Sequence, residues 1–282
     1  MSTLSSILAE RFPDMTPSQR RIARHVFHHI NDVLVATQAQ LAEQVGVSEA
    51  TVSRFIHTLG FSRFSGFKDA LAKEALPDFS TTRRLADSSD RLQGTVLSTV
   101  LSTDMANIQE IHSSLPEESL EHAVQAMAKA AHIYILGLRS SYALAFYLYF
   151  TLRFFSSNAK LLRPDVGDMP EQVLGCSADD VLISISFRRY TQSTIDLTHK
   201  LKSRGLTIVG ITDSMLSPLA HLAHIPLIAP TTVPSFFESY TGPMSLINAL
   251  LASLALRREG QAFTALDHME SAFEDFETYF QD

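Results

Sequence analysis

Five short apolar runs, rich in β-branched residues, recur through the second half of the 282-residue chain and alternate with helical stretches. Strands that are apolar on both faces are typical of a parallel sheet that helices cover on either side. The pattern therefore predicts an α/β domain built on a parallel sheet. The predicted strands are residues 132–137, 159–163, 181–186, 206–212 and 224–230.

The first quarter of the chain has a different character, with helical patterns throughout residues 1–77. A hydroxyl side chain caps the start of a helix, often with glutamine three positions later, and a glycine permits the left-handed turn that stops one. These signals predict an all-α N-terminal domain. The predicted starts are Thr16, Thr37 and Ser48, and the predicted stops are Gly46 and Gly60.

Two of these helices stand around a Gly-Val-Ser turn, with the spacing of a helix-turn-helix. Such a motif places its second helix in the major groove of DNA. Ala42 is predicted to lie where the helices touch, and Val52 to pack the second helix against the first. The alternative is an ordinary helical bundle whose polar face only meets solvent.

The polar face of the second helix carries hydroxyl groups and Arg54, which can bond bases or phosphates. Arg63 and Lys68 follow this helix and are predicted to clamp the DNA backbone. The candidate DNA-binding residues are Thr37, Gln38, Ser48, Glu49, Ala50, Thr51, Ser53, Arg54, His57, Arg63 and Lys68.

Two further segments complete the predicted organisation. Residues 78–115 are expected to be a linker that ends in a connecting helix, followed by the α/β domain at 116–260. Residues 261–282 are predicted to form an acidic amphipathic helix that serves packing or a subunit interface. Its apolar positions are Leu266, Met269, Phe273, Phe276 and Phe280.

The net charge of −7 is unevenly distributed, because residues 1–77 are nearly neutral and the acidic excess lies in the remainder. Only the N-terminal domain can therefore approach a polyanion without strong repulsion. The single cysteine, Cys176, excludes an internal disulfide framework and fits a reducing cytoplasm. The longest apolar run falls short of the ~18 residues of a membrane span. We expect a cytoplasmic protein without metal or cofactor.

The stretch TQAQLAEQVGVSEATVSRFIHTLGF, within residues 4–77, closely resembles the helix-turn-helix domain of RpiR-family bacterial transcription regulators. In that family the following domain is a sugar isomerase (SIS) domain, a parallel αβα sandwich that binds phosphosugars or related molecules. Residues 120–258 resemble it over nearly their full length. The resemblance implies a five-stranded sheet and a DNA-binding regulator that is not an enzyme.

Two loops of the resembled SIS domain carry its binding chemistry, and both depart from the family's pattern here. The family's G-x-G-x-S stands as Gly137-Leu138-Arg139-Ser140-Ser141, so Arg139 replaces the second glycine. The family's S-x-S-G-x-T stands as residues 186–191, where Arg188 and Arg189 replace serine and glycine. Each departure replaces a small residue, which would let the loop backbone approach the ligand closely, by an arginine. The guanidinium group of arginine can bind a phosphate or carboxylate through two parallel hydrogen bonds.

We therefore expect an anionic ligand, either a sugar phosphate or a carboxylate. The alternative is that one or more of these arginines points to solvent or pairs with an acidic residue. The candidate ligand-binding residues are Gly137, Arg139, Ser140, Ser141, Ser184, Ser186, Arg188, Arg189, Thr191 and Glu238.

Three functions compete on this evidence. In the first, a small anionic effector controls binding to a near-palindromic operator, and the chain forms a homodimer or a dimer of dimers, as helix-turn-helix proteins do. In the second, the chain is a sugar-phosphate isomerase with an added helical domain, which needs a base over the substrate. In the third, the N-terminal helices only mediate oligomerisation. The altered loops favour the first.

Overall fold

The computed structural model describes residues 4–28, 33, 36–75, 84–85, 88, 95–163, 167–215 and 217–280. The chain divides into two compact units. The first comprises residues 1–100, 214–218 and 233–237, and the second comprises 101–213, 219–232 and 238–282. The predicted domain boundary at 77–78 lies outside the described residues. Among the helices that the structure describes, none combines the length and apolar character that a membrane crossing requires.

The first unit is helical, as its capping signals predict. A 3-10 turn at Phe12–Asp14 separates its first two helices. The helices are α1 (Leu4–Arg11), α2 (Pro17–His28), α3 (Gln38–Val45), α4 (Glu49–Thr58) and α5 (Phe64–Ala75).

Apolar side chains from all these helices form one core. Ile22 of α2 is fully buried, and Phe55 of α4 meets Phe67 of α5 edge to face, with 6.1 Å between ring centroids. Ala42 and Val52 are buried too, as the helix-turn-helix pattern predicts. Burying one such large side chain contributes about 1.5–3 kcal/mol. This burial holds the apolar face of α4 inward and leaves its polar face outward.

The predicted caps of the helix-turn-helix are confirmed. Thr37 Oγ1 accepts the Gln40 N–H at 3.2 Å, and Gln40 Oε1 accepts the Thr37 N–H at 2.8 Å, which is a capping box. Ser48 Oγ accepts the Thr51 N–H at the start of α4. Gly46 ends α3 in the left-handed region, with φ 69°, and its N–H donates to carbonyls of the last helical turn. Local hydrogen bonds thus set the angle between α3 and α4.

We expect Gly46→Ala to destabilise the protein by about 1 kcal/mol, because a residue with a side chain resists positive φ. Space is open at this position, so the cost comes from backbone conformation alone. Gly66 in α5 has equal space, and Gly66→Ala is the matched control, expected to stabilise by about 0.5–1 kcal/mol. Urea unfolding of the full chain measures both. Equal effects at the two sites would contradict this account of the turn.

The second unit, together with the helix that leads into it, alternates strands and helices as predicted. A 3-10 turn, Arg139–Ser141, lies between its first strand and the following helix. The elements are α6 (Val96–Ser114), α7 (Glu117–Lys129), β1 (Ile133–Gly137), α8 (Tyr142–Leu152), β2 (Ala159–Leu161), α9 (Met169–Gln172), β3 (Val181–Ile185), α10 (Gln192–Ser203), β4 (Thr207–Thr212), α11 (Pro218–Leu222), β5 (Ile225–Ile228), α12 (Thr241–Arg257) and α13 (Glu259–Asp275).

The five strands form one parallel sheet in the order β2-β1-β3-β4-β5, which confirms the predicted fold class. The two edge strands are shorter than predicted, since residues 162–163, 224 and 229–230 lie outside them. The backbone N–H groups of Leu162, His224 and Ala229 still donate to carbonyl oxygens of the neighbouring strands, so the difference lies at the strand ends only. The central strands β1 and β3 are buried along their whole length.

Successive side chains of a strand point to opposite faces, and here both faces are covered. Ile133 and Ile135 of β1 face a cluster that includes residues of α8 and α12. Tyr134 and Leu136 face a second cluster, to which α10 contributes Leu201. The sheet is therefore sandwiched between helices, and the carboxyl ends of its strands remain open for a site.

The C-terminal helix is shorter than predicted. Helix α13 ends at Asp275, and Phe276 and Phe280 lie beyond it, 83% and 92% exposed. Glu277 has φ 48°, a left-handed conformation that interrupts the helix. The predicted helix over residues 261–282 therefore stops at Asp275, and residues 281–282 lie outside the described part of the chain.

Candidate functional site

The carboxyl ends of β1 and β3 meet at the centre of the sheet, where Gly137 pairs in register with Ile185. The loops that follow these strands, at residues 138–141 and 186–192, line a cavity of about 370 Å³. Glu238 and Tyr240, which precede α12, complete its wall. Open α/β sheets bind their ligands outside the carboxyl ends of the strands. The position and the polar lining make this cavity the candidate ligand site.

Most predicted ligand-binding residues line this cavity. Four further residues line the cavity that the sequence-based prediction did not include: Leu138, Phe187, Gln192 and Tyr240. Tyr240 stands only two positions after Glu238, so proximity in sequence was the available signal. The predicted residues on the wall are Arg139, Ser140, Ser141, Ser186, Arg188, Arg189, Thr191 and Glu238.

Two residues of the predicted set, Gly137 and Ser184, do not line the cavity. Ser184 is fully buried, and its hydroxyl shares a 2.8 Å hydrogen bond with the hydroxyl of Thr198 in α10. Gly137 acts through its lack of a side chain. A Cβ there would lie 2.6 Å from the carbonyl oxygen of Ser141 and 2.9 Å from Cβ of Ala145. Glycine thus lets the loop and α8 lie directly against the end of β1.

Two cavity arginines stand on left-handed backbone. Arg139 has φ 56° and Arg189 has φ 65°, a region that residues with a side chain rarely adopt. Both occupy positions where the resembled loop patterns have glycine. The backbone thus keeps the conformation that glycine favours, while the side chain adds a positive charge. Among the described residues, neither guanidinium makes a hydrogen bond or an ion pair with the protein.

The third arginine has an acidic neighbour in its own chain. Arg188 Nε lies 3.8 Å from Oδ2 of Asp213, whose side chain is 8% exposed. Tyr190 donates its hydroxyl hydrogen to Oδ1 of Asp213 at 2.9 Å. Burial raises the pKa of Asp213, although Arg188 and Tyr190 act in the opposite direction. Arg188 therefore matches the alternative of an intramolecular pair, and Asp213 orients the loop that carries it.

The raised pKa of Asp213 predicts a pH-dependent stability. A carboxyl whose folded pKa exceeds its unfolded value, about 4, stabilises most below that value and less as pH rises through the folded pKa. Asp213→Asn removes this titration while keeping an oxygen that accepts from Tyr190. We therefore expect the free energy of unfolding of the parent, relative to Asp213→Asn, to fall from pH 4 upward. Urea unfolding at several pH values measures it, and a pH-independent difference would contradict it.

Tyr240 closes one side of the cavity. Its hydroxyl donates to Ser140 Oγ at 2.8 Å, and its ring lies 5.3 Å from the ring of Phe187 between centroids. Burial raises the pKa of Tyr240, so the hydroxyl keeps its proton at neutral pH. The tyrosine thus ties the segment before α12 to the loop after β1.

In the helical unit, α4 presents an exposed polar face as predicted. Arg54 Nη2 donates to Oγ1 of Thr51 at 3.2 Å. Ser53 and Thr51 are half-buried, whereas Val52, between them, faces the core. The exposed members of the predicted DNA-binding set are Thr37, Ser48, Glu49, Ala50, Arg54, His57 and Arg63.

Besides Thr51 and Arg54, four more of the predicted DNA-binding residues have bonds within the protein. The hydroxyls of Thr37 and Ser48 cap helices. Gln38 Nε2 donates to the carbonyl oxygen of Glu49 at 3.2 Å, which joins α3 to α4. Lys68 Nζ donates to the carbonyl oxygen of Ala36 at 3.0 Å and is half-buried, so its ammonium is already engaged. Arg54, His57 and Arg63 remain as exposed side chains of the set with nitrogen groups, and Glu49 is an exposed carboxylate.

Comparison with known protein families matches both units. Residues 2–77 match the model of the helix-turn-helix domain of the rpiR family, and residues 126–253 match that of the SIS domain. The two matches together span most of the sequence. The chain belongs to the RpiR family. It is a transcriptional regulator with a helix-turn-helix domain and a SIS domain.

A relative and two solved structures agree with this assignment. The transcriptional regulator HexR of Pseudomonas aeruginosa is 24% identical over 265 residues, 92% of this chain and 91% of HexR. The sugar isomerase domain of an RpiR transcription factor from Sphaerobacter thermophilus is 26% identical, with a TM-score of 0.59, covering 62% of this chain and 97% of that one. NanR of Vibrio vulnificus, solved with ManNAc-6P, shares the fold at 20% identity and TM-score 0.58, covering 97% of this chain and 98% of NanR.

Proposed function

We propose that this RpiR-family regulator binds operator DNA through the exposed face of α4 and senses a small anionic metabolite in the cavity of its SIS domain. The observation that carries the proposal is the pair of arginines, Arg139 and Arg189, on left-handed backbone in the cavity wall. Left-handed backbone with a side chain costs roughly 1–2 kcal/mol per residue. Strained backbone of this kind clusters at active sites, ligand clamps and switch regions.

The lining supports an anion that also carries hydroxyl groups. Two guanidinium groups supply charge-assisted hydrogen bonds, which are stronger than those between neutral groups. Ser140, Ser186 and Thr191 add hydroxyls to the same wall, and Glu238 adds a carboxylate that accepts from ligand hydroxyls. A sugar phosphate fits this lining, as does a hydroxylated carboxylate. The NanR structure with ManNAc-6P supports the first class.

A thermal-shift screen of the full chain tests the effector proposal. The panel pairs each sugar phosphate with its neutral sugar and adds di- and tricarboxylates. Because a ligand raises the melting temperature when it prefers the folded state, at least one anion should raise it while its neutral partner does not. Equal shifts for the sugar phosphate and its neutral sugar would overturn the anion requirement.

The DNA proposal rests on α4, whose polar face is held outward by its buried apolar face. Helix-turn-helix proteins read two half-sites as dimers, about 10 base pairs apart or a multiple of that. We therefore propose a homodimer or a dimer of dimers on a near-palindromic operator. Selection of duplexes from a random pool by the full chain tests this idea. Recovery of a palindromic sequence whose binding weakens steeply with salt supports it, whereas recovery of no preferred sequence contradicts it.

The alternative of an isomerase has one observation in its favour, the carboxylate of Glu238 in the cavity wall. Aldose–ketose isomerisation needs a base over the carbon from which a proton is removed. Turnover assays with the sugar phosphates of the same panel distinguish an enzyme from a sensor. Conversion that Glu238→Gln abolishes would establish the enzyme, and binding without conversion supports the sensor.

A further inference from the structure

Helix α6 stands in the sequence between the helix-turn-helix domain and the sheet of the SIS domain. Its buried residues are Asn107 and Ile111. Asn107 Nδ2 donates to the carbonyl oxygen of Thr232 at 2.7 Å. Ile111 packs against Gly242 so closely that a Cβ on that glycine would lie 3.1 Å from Cδ1 of Ile111. Helix α6 is therefore attached to the segment that leads into α12.

A carboxylate on α6 fastens this segment further. Asp104 accepts a hydrogen bond from the Ser239 hydroxyl on one oxygen, and from the Thr241 hydroxyl, at 2.9 Å, on the other. Ser239 is buried, with 8% of its surface exposed. Hydrogen bonds to a charged acceptor are roughly twice as strong as those between neutral groups. Both bonds therefore hold the segment firmly at the two neighbours of Tyr240.

Tyr240 lies between these two residues and reaches the cavity instead. Its hydroxyl donates to Ser140 of the loop after β1, and its ring contacts Phe187 of the loop after β3. Because Tyr240 lines the cavity, an anionic ligand there would compete with Ser140 as the acceptor of the Tyr240 hydroxyl hydrogen. If Tyr240 gives up its bond to Ser140, any movement of its backbone would reach Ser239 and Thr241, and both are bonded to α6.

We propose that Asp104, Ser239 and Thr241 form a coupling clamp that passes the state of Tyr240 in the cavity to helix α6, and hence toward the DNA-binding domain. The proposal rests on the proposed function, because it assumes that the cavity holds the effector. A ligand shifts an equilibrium only through contacts that differ between the two states. Here the differing contact is the Tyr240–Ser140 hydrogen bond, and Asp104 is a positioning residue that does not touch the ligand.

A double-mutant cycle on the full chain tests the clamp without ligand or DNA. Tyr240→Phe removes the bond to Ser140 and keeps the ring, and Asp104→Ala removes the clamp. Hydrogen–deuterium exchange is measured at the amides of α6. We expect Tyr240→Phe to speed this exchange by at least about 3-fold in the parent and to change it by less than about 1.5-fold when Asp104 is alanine. Additive effects would overturn the proposal.

Two further variants serve as controls. Tyr147→Phe removes a tyrosine hydroxyl that donates to Asn248 Oδ1 at 2.7 Å, away from the clamp, and should leave exchange in α6 unchanged. Thr241→Val removes one clamp bond with little change of shape, and should weaken the coupling even if Asp104→Ala does not fold. Equal responses to Tyr147→Phe and Tyr240→Phe would also overturn the clamp.

The regulatory consequence is measured with inorganic phosphate as the probe and the selected duplex as the target. We expect phosphate to change the affinity of the parent for the duplex by about 5-fold or more, because the clamp passes ligand binding in the cavity to α6. In Asp104→Ala, phosphate should change the affinity for the duplex by less than about 2-fold. An unchanged response in Asp104→Ala would overturn this regulatory role. If the parent does not bind phosphate at all, but the effects of Tyr240→Phe and Asp104→Ala on hydrogen–deuterium exchange are still non-additive, the anion site is contradicted and the clamp is supported.

Discussion

Replacing Arg139 and Arg189 together by glycine is expected to weaken anion binding strongly while leaving the protein at least as stable as the parent. Each guanidinium bonded to an anion contributes about 1.5–3 kcal/mol, so the double variant should lose roughly 100-fold or more in affinity. The same arginines hold φ of 56° and 65°, and glycine accepts these angles without strain. One substitution at each site therefore removes both the charge and the strain.

Alanine at these two positions separates the two effects, because alanine lacks the charge but keeps the strained backbone. We expect the alanine variants to bind as weakly as the glycine variants and to be less stable than them by about 1 kcal/mol per site. Arg153, an exposed arginine with φ −63°, is the matched control, and Arg153→Gly should change neither binding nor strain. Calorimetric titration with the anion identified in the thermal-shift screen measures binding, and urea unfolding measures stability. Glycine variants that bind as tightly as the parent would exclude these arginines from the site.

The other large effect is expected at α4. Arg54→Ala should lower affinity for the selected operator by about 1–3 kcal/mol, roughly 5- to 150-fold, and relax the base preference at one position of each half-site. Its bond to Thr51 aims the guanidinium along the exposed face of the helix. Fluorescence anisotropy with a set of single-base operator variants measures both effects.

Arg63 and Arg24 provide the comparison for Arg54. Arg63→Ala should weaken binding to all sequences alike and reduce the salt dependence by about one counterion, as loss of a phosphate contact does. Arg24 is exposed on α2, outside the predicted set, and Arg24→Ala should leave selectivity intact. Full selectivity in Arg54→Ala, or an equal loss of selectivity in Arg24→Ala, would remove Arg54 from the readers of base sequence.

The architecture was largely predictable because it depends on local signals. Each apolar run became a strand, since a segment that is apolar on both faces is stable only inside a covered sheet. The capping residues Thr37 and Ser48 and the stop at Gly46 act within one helical turn, so their bonds follow from nearby sequence. The last helix was overextended because apolar spacing continues past Asp275, whereas the backbone turns left-handed at Glu277.

The site was predictable in its location and less so in its contacts. Ser184 and Ser186 look alike in the sequence, but Ser184 lies within β3 and bonds Thr198 of α10, whereas Ser186 follows the end of the strand and lines the cavity. The partner of Arg188 is Asp213, which follows another strand, so no local pattern joins them. The wall residue Tyr240 comes from a third segment, and only the folded chain brings it to Ser140.

The contact between Gly137 and the turn after it limits how this scaffold can be retuned. The carbonyl oxygen of Ser141 and the methyl group of Ala145 lie so close to Gly137 that a side chain at this position would collide with them. We therefore expect a change in ligand specificity to come from substitutions of the side chains that line the cavity, and not from a substitution of Gly137. Regulators with this fold can change the ligand that they recognise while the backbone at the end of β1 stays the same.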